Sequence, residues 1–163
     1  MGAFSFSVDP VTVDSVNTAN RKIVTPIPAP GTGELLNRLE RIESRSMHGQ
    51  MPIVWKKAED WYVTDIGDNQ FLDFTSTIFV ANVGHANKRV SAAVQEQLNL
   101  KLISCYTYPN TIRSDYLEKL LSFRGQPFEK AFLLSAGTEA TEAVLKLIRL
   151  YGQDKGKRRR IVI

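Results

Sequence analysis

Cysteine is almost missing from this chain: Cys105 is the only one in 163 residues. A single thiol excludes an internal disulfide framework and points to a reducing, intracellular setting. No motif surrounds Cys105, so it reads as a small buried residue rather than a nucleophile. Long apolar runs are missing as well, and none approaches the roughly 20 residues needed to span a bilayer. The opening "MGAFSFSVDPV" has no basic segment followed by an apolar stretch and is therefore no secretory signal. Phe6 stands where N-myristoylation requires Ser or Thr. These absences predict a soluble, cytoplasmic protein with no membrane partner. Internal repeats and low-complexity tracts are absent too. So are both glycine-rich nucleotide fingerprints, the Gly-Lys-Ser/Thr of a P-loop and G-x-G-x-x-G. No metal site is expected.

What is present fits an ordinary globular chain of one or two domains, 43% hydrophobic and 23% charged. The net charge of +4 is local. "KGKRRR" (Lys155 to Arg160) holds five basic residues, so the remainder of the chain carries a net −1. A nucleic-acid surface spreads its cations and interleaves aromatic or polar readers, and none are interleaved here. The cluster reads as a solvated loop, with an anionic partner as the competing reading.

Along the chain, residues 1–25 are polar and aperiodic and predict a loose arm. "TPIPAPGTG" alternates three prolines and predicts an extended strap. Leu35, Leu39 and Ile42 then recur at helical spacing. "PIVWKKA", "WYVTDI" and "QFLDFTS" predict three short strands, with Gly67-Asp68-Asn69 as a hairpin turn. An apolar run follows and ends on Gly84-His85. Helices are predicted from "NKRVSAAVQEQLNLKL" and "IRSDYLEKLLSF". "KAFLLS" predicts a strand. After it a strongly periodic helix carries Ala140, Ala143, Val144, Leu147, Ile148 and Tyr151 on one face, with Gly152 suited to its stop. "RRRIVI" opens another strand, which makes a βαβ unit with parallel pairing.

The junction "SAGTEA" between strand and helix has two readings. It is either a plain structural turn, or an anion seat built from the amides of Gly137 and Thr138 and the Thr138 hydroxyl at a helix N-terminus. Glu139 and Glu142 favour the helix start through its dipole but would repel an anion they faced, so both must point away.

The surroundings add weight to the second reading. Asp65-Ile66-Gly67-Asp68 and Leu72-Asp73-Phe74 follow Ala58, then Asn82-Val83-Gly84-His85, the helix end "AVQEQL", and S-x-G-T-E-A-x-E-A-x-x-K-x-x-R from Ser135 to Arg149. In this order they resemble the N-terminal part of class III aminotransferases, the pyridoxal-phosphate enzymes that include 4-aminobutyrate, ornithine and acetylornithine aminotransferases. The resemblance runs over roughly residues 23–163. It implies an α/β type I pyridoxal-phosphate-dependent transferase fold, incomplete here, with a mostly parallel sheet, an N-terminal helix and small antiparallel strands. By the same resemblance, 1–50 form an arm and helix, 51–105 the N-terminal part of the small domain, and 106–163 the start of the cofactor-binding large domain.

The implied function is transfer of an amino group from an ω-amino acid to a 2-oxo acid, in a homodimer. In that family the residues at Gly137 and Thr138 clasp the phosphate of pyridoxal 5'-phosphate. The residue at Ile78 lines the substrate pocket, and an aliphatic side chain there looks like the 4-aminobutyrate branch. Read from the residues alone, Ile78 is equally a buried strand residue. The family has a proline where this chain has Asn87, and its His85 belongs to a structural turn rather than serving as a base. The Schiff-base lysine and the carboxylate that keeps the pyridine nitrogen protonated lie in the family beyond the position of Ile163. No residue here is therefore expected to be catalytic, and the 163 residues alone are expected to be inactive. The alternative is a non-catalytic binding or assembly module that keeps the first half of the fold.

Overall fold

Alternation and turn chemistry in residues 55–72 produce a meander of three strands: β3 (Trp55–Glu59), β4 (Tyr62–Asp65) and β5 (Gln70–Leu72). The computed structural model describes residues 6–105 and 107–157. It divides the chain into two compact units, Met1–Ile103 and Ser104–Ile163.

In the first unit two further strands, β1 (Val16–Asn17) and β2 (Lys22–Ile23), extend the meander. The sheet has the order β1-β2-β5-β4-β3, and every pairing in it is antiparallel. Residues 6–25 are thus not a loose arm. Lys22 pairs with Gln70, and Ile23 beside it is only 1% exposed. Flanking polarity hid this strand, because a pairing across nearly fifty residues leaves no local periodicity. The strap joins in as well: Ile27 and Val11 exchange backbone hydrogen bonds, each 3.0 Å.

Few of the described residues are buried, and several of those are polar. Ile23, Ala29 and Val63 are the buried hydrophobic residues, against Thr32, Thr64, Asp65 and Asn69. Burial of polar groups is tolerated only when their hydrogen bonds are made, and at the β4–β5 turn they are. Asn69 accepts the N–H groups of Val24 and Thr25 at 2.8 and 2.9 Å, and its amide donates to the Thr25 hydroxyl and the Asp65 carboxylate. Asp65 also accepts the N–H groups of Gly67 and Asn69. The turn's left-handed residue is Asp68, at φ 64°. Gly67 is required for a different reason: a Cβ there would overlap the Thr25 hydroxyl and lie 2.8 Å from Ala29 Cβ.

Helix α1 (Thr32–Ile42) follows the strap, and a 3-10 turn (Arg45–Met47) leads on towards β3. After β5 comes α2 (Ser76–Phe79), a single turn wound left-handed. Helix α3 (Lys88–Asn99) closes the unit. Asn87 caps it by accepting the N–H groups of Arg89 and Val90, and its amide donates to the Val83 carbonyl. The residue that departs from the family pattern is therefore a helix cap.

The second unit holds α4 (Thr111–Arg124) and α5 (Gly137–Asp154). Asn110 caps α4 through the Arg113 N–H at 2.8 Å. Helix α5 begins where the sequence places it, but two expectations around it are corrected. Residues 131–134 run as unpaired chain into a bend at Ser135-Ala136, not as a strand, because no partner segment lies beside them among the described residues. Their expected parallel partner, 158–163, lies outside the described residues, as does half of the Lys155–Arg160 cluster. The apolar face of α5 is open, with Val144 and Leu147 more than half exposed, so among the described residues it packs against no sheet. The helix also passes through Gly152 and stops at Gly156, which takes φ 65°. The N–H of Gly156 reaches the Gln153 carbonyl and that of Lys157 the Gly152 carbonyl, closing the last turn.

Candidate cofactor and substrate site

Gly137 and Thr138 form the first turn of α5. The N-cap position is Ala136, in extended backbone with φ −152°, and it has no side chain able to accept the first N–H groups. The opening amides of the helix are thus left without a side-chain cap, at the end of the helix where the dipole favours an anion. A Cβ built on Gly137 meets nothing within 4 Å. The turn is open at the surface and has room for a phosphate, so the residues present fit that group. Gly137 is not at positive φ. Its advantage is the bare backbone, not conformational freedom.

The two glutamates behave differently from one another. Glu142 points away, as expected, into an ion pair with Lys146 at 2.7 Å that lowers its carboxyl pKa. Glu139 does not. Its carboxylate turns back over the turn and accepts the Ser135 N–H at 2.9 Å. The reason is local: Glu139 is the third residue of the helix, the position from which a glutamate reaches back to backbone N–H groups around the cap.

Ile78 belongs to the first unit. It is neither a buried strand residue nor part of any strand: it sits in α2 and is 81% exposed. Ser76, Thr77, Ile78 and Phe79 have φ of 46, 52, 58 and 69°. Each non-glycine residue held there costs about 1–2 kcal/mol, and β-branched Thr77 and Ile78 are among the poorest occupants. Something must hold this turn. Asp73 Oδ1 accepts the Thr75 N–H at 2.8 Å, the Thr75 hydroxyl at 2.6 Å and the Ser76 N–H at 3.1 Å. Its Oδ2 lies 2.7 Å from His85 Nε2. Burial of the Asp73 side chain, 2% exposed, would raise its pKa. The hydrogen bonds from Thr75, His85 and the Thr75 and Ser76 backbone outweigh that and hold it at about 2.

His85 is fixed in turn. Its backbone exchanges hydrogen bonds with Asp60 at 2.6 and 2.8 Å, and the Trp55 ring meets its imidazole edge-on at 5.8 Å. Gly84, at φ 87°, lets the two backbones approach: a Cβ there would come within 3.2 Å of the Asp60 carbonyl oxygen. His85 is thus committed to structure. Asp60, Trp61, Asp73, Ser76, Asn82 and His85 line a cleft of about 360 Å³. Sequence reasoning singled out Gly84, His85 and Ile78 but missed the role of Asp73. The signal was present, since Asp-x-Thr-Ser is a pattern in which an Asp side chain captures the amides two and three residues on.

The sequence profile described as "Aminotransferase class-III" matches residues 44–163. An acetylornithine aminotransferase of Lactococcus lactis is 38% identical over 108 residues, 66% of this chain and 28% of that protein. A mitochondrial ornithine aminotransferase of Oryza sativa is 31% identical over 126 residues, 77% of this chain and 26% of that protein. Among solved structures, an ornithine aminotransferase from Plasmodium yoelii superposes with a TM-score of 0.68 at 24% identity, over 77% of this chain and 33% of that one. The likeness shows the fold, in part, as that of the type I pyridoxal-phosphate enzymes. The chain spans about a third or less of the length of the proteins it matches. With the profile covering well over half of its residues, the chain belongs to the class III aminotransferase family.

Proposed function

We propose that these residues are the N-terminal portion of a pyridoxal-phosphate-dependent transaminase that moves an amino group from an ω-amino acid to a 2-oxo acid. Residues 51–105 contribute to its small domain, and 106–163 open its cofactor-binding domain. The observation that carries the reading is the uncapped start of α5, where Gly137 offers bare backbone and Thr138 a hydroxyl, inside the span that matches the family.

The Gly137 and Thr138 amides and the Thr138 hydroxyl bind the phosphate and so fix the orientation of the whole cofactor. Bound pyridoxal phosphate supplies an aldehyde carbon that takes up the amino group and a ring that draws electrons from the bond being broken. Ile78 presents an aliphatic wall to the donor's methylene chain, which favours 4-aminobutyrate. A second reading takes ornithine or acetylornithine as donor, because the relatives carry those names. Both readings share an amine at the far end of an aliphatic chain. The enzyme works as a homodimer, and the 163 residues alone do not catalyse the reaction.

The test supplies 2-oxoglutarate with either 4-aminobutyrate or ornithine and follows glutamate formation, in the full-length protein and in residues 1–163. Turnover by the full-length protein and none by residues 1–163 above a cofactor-only control is expected. No glutamate from either donor with the full-length protein defeats the donor assignment, and turnover by residues 1–163 defeats the division of the site.

A further inference from the structure

The α2 turn is the one run of consecutive non-glycine residues at positive φ among the described residues, and it carries Ile78. Its sequence, Ser-Thr-Ile-Phe, has no intrinsic preference for that conformation. The internal hydrogen bonds, Phe79 N–H to Thr75 at 3.0 Å and Val80 N–H to Ser76 at 2.8 Å, close the turn only once its first residues are already in place. What places them is outside the turn. One Asp73 oxygen gathers the Thr75 and Ser76 amides, and the other is occupied by His85. His85 in turn is tied to the β3–β4 connection through Asp60 and to β3 through Trp55. A rigid antiparallel hairpin is thus linked, through two side chains, to a turn of four consecutive non-glycine residues at positive φ. Strain at such a turn persists only when its surroundings over-determine it.

We propose that Asp73 and His85 are a positioning pair: they hold the Ser76–Phe79 turn left-handed and thereby fix the direction in which Ile78 is presented to substrate. The link to substrate rests on the assignment of Ile78 above; the mechanical role does not. Asp73 and His85 act through the turn, and neither is a catalytic residue. Removing either frees the backbone at Thr75 and Ser76, and Ile78 then samples more than one direction. His85→Gln keeps a side-chain N–H for Asp73 and should preserve most of the function that His85→Ala loses.

Two measurements on the full-length protein test this. The first is amide hydrogen exchange at 75–81, with Val63–Asp65 of β4 as an internal reference for global opening. Asp73→Ala should speed exchange at 75–81 by about tenfold or more while the β4 amides stay as they were. Unchanged exchange at 75–81, or acceleration only in step with β4, overturns the pair's role whatever the kinetics do. The second is the ratio of kcat/KM for 4-aminobutyrate over ornithine, which cancels any simple loss of folded enzyme. Asp73→Ala and His85→Ala should move this ratio by about threefold or more in the direction that Ile78→Ala moves it, with His85→Gln restoring it. A ratio that moves in Ile78→Ala but stays put in Asp73→Ala overturns the positioning claim. A ratio that does not move in Ile78→Ala, or the absence of turnover, overturns the pocket assignment and the link to specificity with it; the exchange result still decides whether the pair holds the turn.

Discussion

Replacing Asp73 by Asn removes a charge that the fold has arranged to keep. The carboxyl is 2% exposed, takes four hydrogen bonds and has its pKa lowered from 3.8 to about 2. A pKa lowered in the folded state means that the ionised form is bound more tightly there than in the unfolded chain. At 1.36 kcal/mol per unit, the shift corresponds to about 2 kcal/mol of stability. Because the folded pKa is the lower one, that stability is complete above the unfolded value of 3.8 and is lost as the pH falls through about 2. Asn cannot ionise and has no such term.

The expected outcome is a gap of about 2 kcal/mol between wild type and Asp73→Asn at pH 7, which narrows steadily below pH 4 and closes near pH 2. Urea unfolding followed by tryptophan fluorescence suits the site. Trp55 meets His85 edge-on, and Trp61 lines the same cleft. Equal midpoints at pH 7 would show that the hydrogen bonds around Asp73 do not favour its charge. A gap that persides unchanged at pH 2 would show that the loss comes from packing rather than ionisation.

Thr77→Gly should stabilise the first unit by about 0.5–1 kcal/mol, since glycine accepts φ 52° without the penalty of a β-branched side chain; a lower urea midpoint would contradict the strain assigned to α2. Gly137→Ala should leave stability unchanged or raise it by up to about 1 kcal/mol, because its Cβ meets nothing and its φ is not positive, yet weaken cofactor retention in the full-length protein. Unchanged retention would remove Gly137 from the phosphate seat. Glu139→Gln should tighten binding of inorganic phosphate by about two- to fivefold by removing a carboxylate that hangs over the turn, as read by calorimetric titration; no change would place the anion elsewhere. Asn87→Ala should cost about 1 kcal/mol and speed exchange of the Arg89 and Val90 amides, and amides that remain protected would show that α3 does not depend on this cap.

Local chemistry was enough to mark the meander, the helices α1, α3 and α4, and the start of α5. Alternating side chains, apolar residues at helical spacing and glycine at turns act over a few residues, and a reader of the sequence sees all of them. The helix start at Gly137 and Thr138 was legible for the same reason, being a property of a few residues. The tertiary structure decided what depends on residues far apart. It recruited the apparently loose residues around Ile23 into the sheet through Lys22 and Gln70. It placed Thr25 and Ala29 so close to Gly67 that no side chain fits there. It also turned Ile78 out of any strand into a left-handed turn held by Asp73 and His85. Periodicity reports which face of an element is apolar, but not which distant side chain will supply the hydrogen bonds that make an unfavourable backbone conformation the stable one.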